Sequence, residues 1–408
     1  MTVGRFAEMT LQSNTERNGA VFVLRTGPVQ DAEIELDGWT VKVTRGVSAV
    51  VAYGSAGQSF NETYDAALTA ANRGLDYMSA RGLCDVAIRD AQDDCLVWWA
   101  DDAGVVVRAN AVSTTLSHSS ATVVVKDAAG NVVPPNLPSA TKHDAFRFIR
   151  MSRTSEYLFD SYRNMFLAFE ALLSDIRPRQ TTAKGRYEGE GVWFKAALGV
   201  ANTLVPVASL APKGEASPVD WVYTNMYGDA RSGLMHAKQG RPYHLPQDEQ
   251  SRKQLQESLN DLWLYVRQLM EKHLGVGHKS GGLMLGGFQM LAEGALSEMI
   301  AAVSADTTPV NPQDALFAPT GGAIVELASG PVEMTEPFLG TVIASCDTAE
   351  LAGLPVIGRI GSMDKAGNAL FLSALPGLLE LGDWVTRFEI MLGLRAVNAA
   401  GPRTHFSA

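Results

Sequence analysis

Arg231 and His236, in the run RSGLMHAKQG, are the two residues of this chain whose types and spacing best suit chemistry. Histidine titrates near neutral pH and can act as acid or base. Arginine stays charged and forks onto phosphate oxygens. Together they suit metal-free cleavage of an RNA phosphodiester. That reaction needs a base for the ribose 2′-hydroxyl, an acid for the leaving oxygen and a cation for the charge developing at phosphorus. Residues five apart on an ideal helix are rotated by about 140°, so the pair flanks a ligand rather than stacking. One His cannot be both base and acid in the same step, and a symmetric dimer would supply two. The bland alternative is a surface Arg and a capping His near a helix C-terminus, where cations are favoured.

Further polar residues stand around this pair. Glu170 lies among apolar neighbours in AFEALL. If buried it needs a partner, and an Arg or Lys of the motif helix is one candidate; on a solvated face it needs none. Arg163 is either a second phosphate contact or an ordinary surface residue. Lys238 and Arg241 can hold an RNA backbone or merely compensate a helix dipole. His244 reads as a loop residue. In His143-Asp144 the acid reads as a first-turn residue rather than a metal ligand. Trp98-Trp99 reads as core and sheet edge rather than a base-stacking platform. His278-Lys279-Ser280 lacks the glycine a P-loop places before its Lys, and it follows a helix rather than a strand. There is no G-x-S-x-G elbow, no H-E-x-x-H and no Cys/His cluster, so no metal, structural zinc or cofactor is expected.

The elements that must position the pair are sharply marked. Ser217 can cap, Pro218 fits the first helical position and Asp220 is a first-turn acid. A helix is predicted from Pro218 to about Gln239, stopped by Gly240 and Pro242. Before it, the apolar spacing predicts one long helix from Ala145 to Asp175, ended by Arg177-Pro178, and a short one over 193–204. After it, Leu255, Leu259, Leu262, Val266 and Leu269 step by four and three along a last helix over 247–274. Residues 1–140 read as an α+β domain. Its strands fall at 21–24, 39–44, 47–53, 96–99, 105–107 and 122–125, and one helix runs from Asn61 as cap to Arg81, with Leu68, Ala71, Leu75 and Met78 as its stripe. The prolines of Val132–Pro138 mark a boundary. The glycines of 276–290 read as a linker into a β-rich sandwich or barrel with strands at 324–327, 341–345, 358–360, 370–373 and 385–392. The expected fold class is therefore α+β multidomain. A central helical bundle of four helices over 141–278 is flanked by the domain 1–140 and the domain 279–408.

Composition narrows the classes. The chain has 408 residues, 46% hydrophobic and 19% charged, which excludes low-complexity disorder and allows two to four domains. A net charge of −10 excludes a uniformly basic nucleic-acid coat. Residues 141–280 nevertheless hold 19 Lys and Arg against 15 Asp and Glu, leaving 15 against 29 elsewhere. The helical region is thus where nucleic acid would sit. Cys84, Cys95 and Cys346 are too few for a disulfide framework. The start, MTVGRFAEMTLQ, has no apolar signal core, and Leu283–Val303 is too polar and glycine-rich for a membrane span. These features predict a cytoplasmic location and no membrane partner.

Three segments carry a family resemblance: YRNMFLAFEALLS at 162–174, GEGVW at 189–193 and RSGLMHAKQG at 231–240. They resemble the HEPN superfamily over 141–275, in the type found in MauJ-like and ApeA-like bacterial proteins. NRGLDYMSARG at 72–82 resembles the N-terminal part of MauJ-like chains. The resemblance implies a helical domain that forms a homodimer. It also implies a metal-independent endoribonuclease in which Arg231 binds the phosphate and His236 transfers the proton. Active members often carry Asn, Asp or His after the Arg, where this chain has Ser232. The resemblance further implies RNA as partner, a 2′,3′-cyclic phosphate product, and a toxin-like role in anti-phage defence restrained by a trigger bound to the flanking domains. The other reading is a non-catalytic dimerisation or ligand-binding scaffold.

Overall fold

A computed structural model describes residues 2–7, 9–12, 18–55, 57–89, 91–115, 129–132, 141–235, 243–245, 249–278, 284–311 and 314–396. The chain forms two units, one from residues 1–115 with 284–396 and one from within 116–283. In the first unit the strands are β1 (Thr2–Phe6), β2 (Met9–Gln12), β3 (Asn18–Val23), β4 (Ala32–Leu36), β5 (Trp39–Val43), β6 (Ala49–Gly54), β7 (Asp94–Asp101) and β8 (Gly104–Thr115), with helix α1 (Phe60–Ala80) after β6. The chain returns to this unit as β9 (Ile300–Ser304), β10 (Ile324–Glu326), β11 (Ala328–Glu336), β12 (Leu339–Asp347), β13 (Arg359–Met363), β14 (Ala369–Leu372), β15 (Leu379–Leu381) and β16 (Val385–Ala396).

Nine of these strands make one sheet in the order β11-β12-β16-β8-β7-β3-β6-β5-β4. Local chemistry explains its ends. The β4–β5 hairpin turns on Asp37-Gly38, both at positive φ, the two-residue turn that matches strand twist. Its central strands, β3, β6 and most of β7, are buried on both faces and read as continuous apolar runs. Helix α1 packs on β3 to β7. The predicted stripe Leu68, Ala71, Leu75 and Met78 is buried. Its cap is Ser59, whose Oγ accepts from Glu62 N and donates to the Glu62 carboxylate, and not Asn61.

This sheet overturns the expected arrangement of three domains around a central four-helix bundle. The protein is sheet-rich, and its first and last regions are not separate flanks. β16 pairs with β8 in parallel from Val385↔Val105 to Ala396↔Thr115, and β12 and β11 follow it. β15 pairs with β1, so only β9, β10, β13 and β14 form a sheet among themselves. A parallel pair needs a long crossover, and here the connection from β8 to β16 carries the helices of the second unit and then α8 and β9 to β15. Nothing in local periodicity reveals a partner strand so far along the chain. The expected glycine linker also contains a helix, α8 (Leu285–Ser297), packed on β11, β12 and β16. Side chains alternate along strands. The registers put Gly340, which meets Ala292 of α8, and Arg108, which lies over Phe60 of α1, on opposite faces of the sheet.

The second unit does not form the expected bundle either; no four-helix bundle is evident among the described residues. Its helices are α2 (Ala145–Thr154), α3 (Leu158–Ile176), α4 (Glu190–Ala201), α5 (Pro218–Trp221), α6 (Ser232–Met235) and α7 (Glu249–Leu274). The expected helix 145–175 breaks into α2 and α3 because Ser155 is extended, its hydroxyl bonded to the Tyr157 backbone. Ser152 and Ser161 hydrogen-bond across the break, buried. Ser152 and Ser155 in this run are the local signal: such hydroxyls offer the backbone an alternative to helix. α3 packs on α2, α4 and α7. Tyr162, Phe166, Phe169, Phe194, Trp263 and Tyr265 fill the core with the predicted α7 stripe. The Val132–Pro138 boundary and the strand expected at 122–125 lie largely or wholly outside the described residues.

Candidate functional site

The motif helix starts as the sequence predicts and then departs from it. Pro218 occupies the first turn and Asp220 follows, but Ser217 makes no side-chain cap. From Val222 to Arg231 the backbone is a π-helix, and α-helix resumes at Ser232. Such wide turns occur mostly as short bulges, frequently at functional sites. Here the π segment ends on Arg231. The Ser232 hydroxyl donates to the Tyr227 carbonyl, five residues back, 3.4 Å away. That spends Ser232 on its own backbone. Gly233 is buried and its carbonyl accepts from His244 N.

Arg231 faces two carboxylates. Its Nη2 lies 3.4 Å from Oε1 of Glu170 and 3.4 Å from Oε1 of Glu190. Charge-assisted hydrogen bonds are typically about 2.7–2.9 Å, so both contacts are loose. The guanidinium sits 4.9 Å from the centre of the Tyr227 ring and 5.9 Å from that of Phe166, within range of cation–π attraction. The two acids differ. The Glu170 side chain is 15% exposed and comes from the middle of α3; that of Glu190 is 51% exposed and opens α4. Burial pushes the Glu170 carboxyl above its usual range; Arg231 pulls it down and Glu190 adds to the rise. Tyr227 is pushed up to about 12, first by burial and then by the hydrogen bond its hydroxyl donates to Glu190.

Aromatic rings floor this cluster. Tyr223 stacks on Tyr227 with centroids 5.4 Å apart, and Lys195 lies 4.5 Å over Tyr223 while pairing with Asp220 at 2.7 Å. Gly191 in the GEGVW run has a packing reason. A Cβ there would stand 2.4 Å from the Tyr223 hydroxyl, so any side chain would displace Tyr223.

Of the residues singled out from the sequence, Arg231 and Glu170 face one another, and Ser232 adjoins them without turning its hydroxyl to them. Arg163 does not join: it pairs with Asp160 at 3.0 Å, both half-exposed. His236, Lys238 and Arg241 lie outside the described residues. His244 Nδ1 is 3.1 Å from Ser251 Oγ. Sequence reasoning missed Glu190 and Tyr227. Tyr227 stands four residues before Arg231, the spacing at which helical side chains meet, and Glu190 lay within the GEGVW run. It also missed that His143 faces Asp175 rather than Asp144. His273 Nε2 lies 2.6 Å and His143 Nε2 3.8 Å from Asp175 Oδ2. The Ala145 amide donates to His143 Nδ1, which in the neutral ring leaves the proton on Nε2. At 3.8 Å the His143 contact with Asp175 is too long for a hydrogen bond, and the hydrogen bond to that carboxylate comes from His273.

Among the described residues no three His, Cys, Asp or Glu side chains are placed to hold a metal ion. The three cysteines are free and buried, as small apolar residues would be. Among the described residues no helix is long and apolar enough to cross a membrane. Chemically, the Arg231 cluster offers one cation, one exposed acid, one buried acid that holds its proton more tightly than usual, and one phenol donor. No protein-family model matches this chain, and neither a curated protein nor a solved structure matches it.

Proposed function

We propose that the helical unit is a metal-independent endoribonuclease of the HEPN type, acting in the cytoplasm on RNA. Arg231 binds the scissile phosphate and stabilises the charge that develops on it, and His236 transfers the proton. The observation that carries this reading is the Arg231 guanidinium, held over Tyr227 and Phe166 at the end of a π-helical turn, in the one basic region of the chain. A wide turn and a half-buried cation are costly to keep for packing alone. Two copies joined as a homodimer would bring the second His that acid–base cleavage needs. A role in anti-phage defence, with the sheet unit sensing the trigger, belongs to the same proposal.

The test is cleavage of a labelled mixed RNA pool in excess EDTA by wild type, Arg231→Ala and His236→Ala. Wild type should cut and leave cyclic phosphate ends, and each variant should lose about 100-fold or more. Equal cutting by all three would sink the reading. One observation favours the alternative, a non-catalytic scaffold: two carboxylates already occupy Arg231. Absence of cutting together with an unchanged oligomeric state in both variants would support it.

A further inference from the structure

We propose that Glu190 gates Arg231: it occupies the guanidinium as an internal anion, and an RNA phosphate binds by displacing it. The gate rests on the reading of Arg231 as a phosphate-binding residue. One cation against two carboxyl groups leaves the cluster net negative when both are ionised. An arriving phosphodiester is repelled until one acid leaves or is neutralised. The two acids are not equally free to leave. Glu170 is enclosed in α3 between the buried Phe169 and Leu172 turns, whereas the Glu190 side chain is half exposed at the first residue of α4. Its 3.4 Å contact with Arg231 is long for an ion pair, and water can take over its solvation on release.

Release has a second consequence. The Tyr227 ring lies under the Arg231 guanidinium, its centre 4.9 Å away, and Glu190 helps hold its phenol proton. With Glu190 swung out, that O–H stands beside Arg231 with no carboxylate to serve and can donate to the phosphate instead. The phenol beside the gate thus becomes part of the cradle. Glu170 stays behind and keeps the guanidinium in place, so opening need not cost Arg231 its position.

The test is binding of a fluorescent 2′-O-methyl oligoribonucleotide, which cannot be cut because it lacks the nucleophilic hydroxyl. Anisotropy is read at one fixed salt concentration for the full chain, Glu190→Gln, Arg231→Ala and the double variant. Glu190→Gln should tighten Kd by roughly twofold to fivefold, the range set by one exposed charge pair. The double variant should lose that gain. A Glu190→Gln Kd equal to or weaker than wild type overturns the gate. If Arg231→Ala binds as wild type does, the phosphate reading of Arg231 fails and the gate with it. If only Arg231→Ala weakens binding, the gate alone fails. Thermal melting checks each fold, and Arg231→Gln replaces Arg231→Ala if the latter does not fold.

Discussion

Two charge clusters in this molecule are mirror images. In the sheet unit one carboxylate, Glu389, serves two cations: Arg108 Nη2 lies 2.6 Å from it and Arg387 Nε 2.9 Å. In the helical unit one cation, Arg231, serves two carboxylates, both at 3.4 Å. The Glu389 cluster is tight, and it is closed around Glu389 and Arg108 though not around Arg387, which is 39% exposed. The Glu389 side chain is 7% exposed, and Arg108 is pressed over Phe60 and Trp99. It spans the parallel β8–β16 seam, where Arg387 also reaches Asp101, and Arg395 reaches Asp93 at 3.0 Å. Three pairs therefore join the beginning of the chain to its end. The Arg231 cluster is loose, unequally exposed and oversupplied with acid. The residue types are alike, so the difference lies in geometry. Short, enclosed contacts hold strands together; long contacts with one exposed partner leave a charge that a ligand can claim.

The largest effect should come from the closed cluster. Glu389→Ala leaves the enclosed Arg108 guanidinium without its carboxylate, while the more exposed Arg387 keeps Asp101. Breaking such a pair from one side costs about 3–5 kcal/mol. Urea unfolding followed by the fluorescence of Trp98 and Trp99 in β7 should show an early transition in the variant. A midpoint unchanged from wild type would mean the seam does not depend on its charges, and the contrast with Arg231 would collapse. Replacing Arg108 and Glu389 together by Met and Leu should recover much of the loss, because isosteric apolar pairs often match buried ion pairs.

That seam marks the limit of what the sequence discloses. The α1 and α7 stripes were legible because their information is local: apolar residues three and four apart. Most strands of the large sheet were legible one by one, from β-branched runs between turns. Their order was not, since β8 and β16 carry no mark of belonging together. β11 was missed altogether: it is an edge strand, exposed along much of its length, with no buried stripe to betray it. At the candidate site Arg231 and Glu170 were visible as types out of place, an Arg in a motif and an acid among apolar residues. The π-helix was not, because propensity scales describe α-helix, and Glu190 reaches Arg231 from another element 41 residues away.

A smaller effect distinguishes the open cluster by its pH dependence. The Glu170 carboxyl is raised from its ordinary 4.5 mainly by burial. A raised acid binds its proton more tightly in the native state, so its contribution to stability is full below 4.5 and is lost as pH rises through the raised value. Wild type should therefore lose stability across that window, by about 1.4 kcal/mol for each unit of the rise, and Glu170→Gln should not. Unfolding midpoints of both proteins from pH 4 to 8 would check this. Parallel curves would mean that Arg231 fully compensates the buried charge, which would make this cluster as closed as that of Glu389.

The smallest effect tests whether loose polar contacts in the helical unit are confined to Arg231. Tyr162 is wholly buried on α3 beside Phe166, and among the described residues its hydroxyl has no hydrogen-bond partner. Burial alone pushes that phenol far above its usual range. A buried hydroxyl without a partner costs about 1–3 kcal/mol of desolvation that nothing repays. Tyr162→Phe removes the oxygen and keeps the ring, so it should stabilise the unit by about 1 kcal/mol, the low end of that range, since the vacated space is small. RNA cleavage and oligonucleotide affinity should not change, because the ring that holds Arg231 on this side is Phe166 and not Tyr162. A stabilised variant with unchanged affinity would mean that the unit tolerates an unpaired phenol for no functional return. A destabilised variant would mean the hydroxyl has a partner in solution, and the helical core would then be as fully paired as the seam.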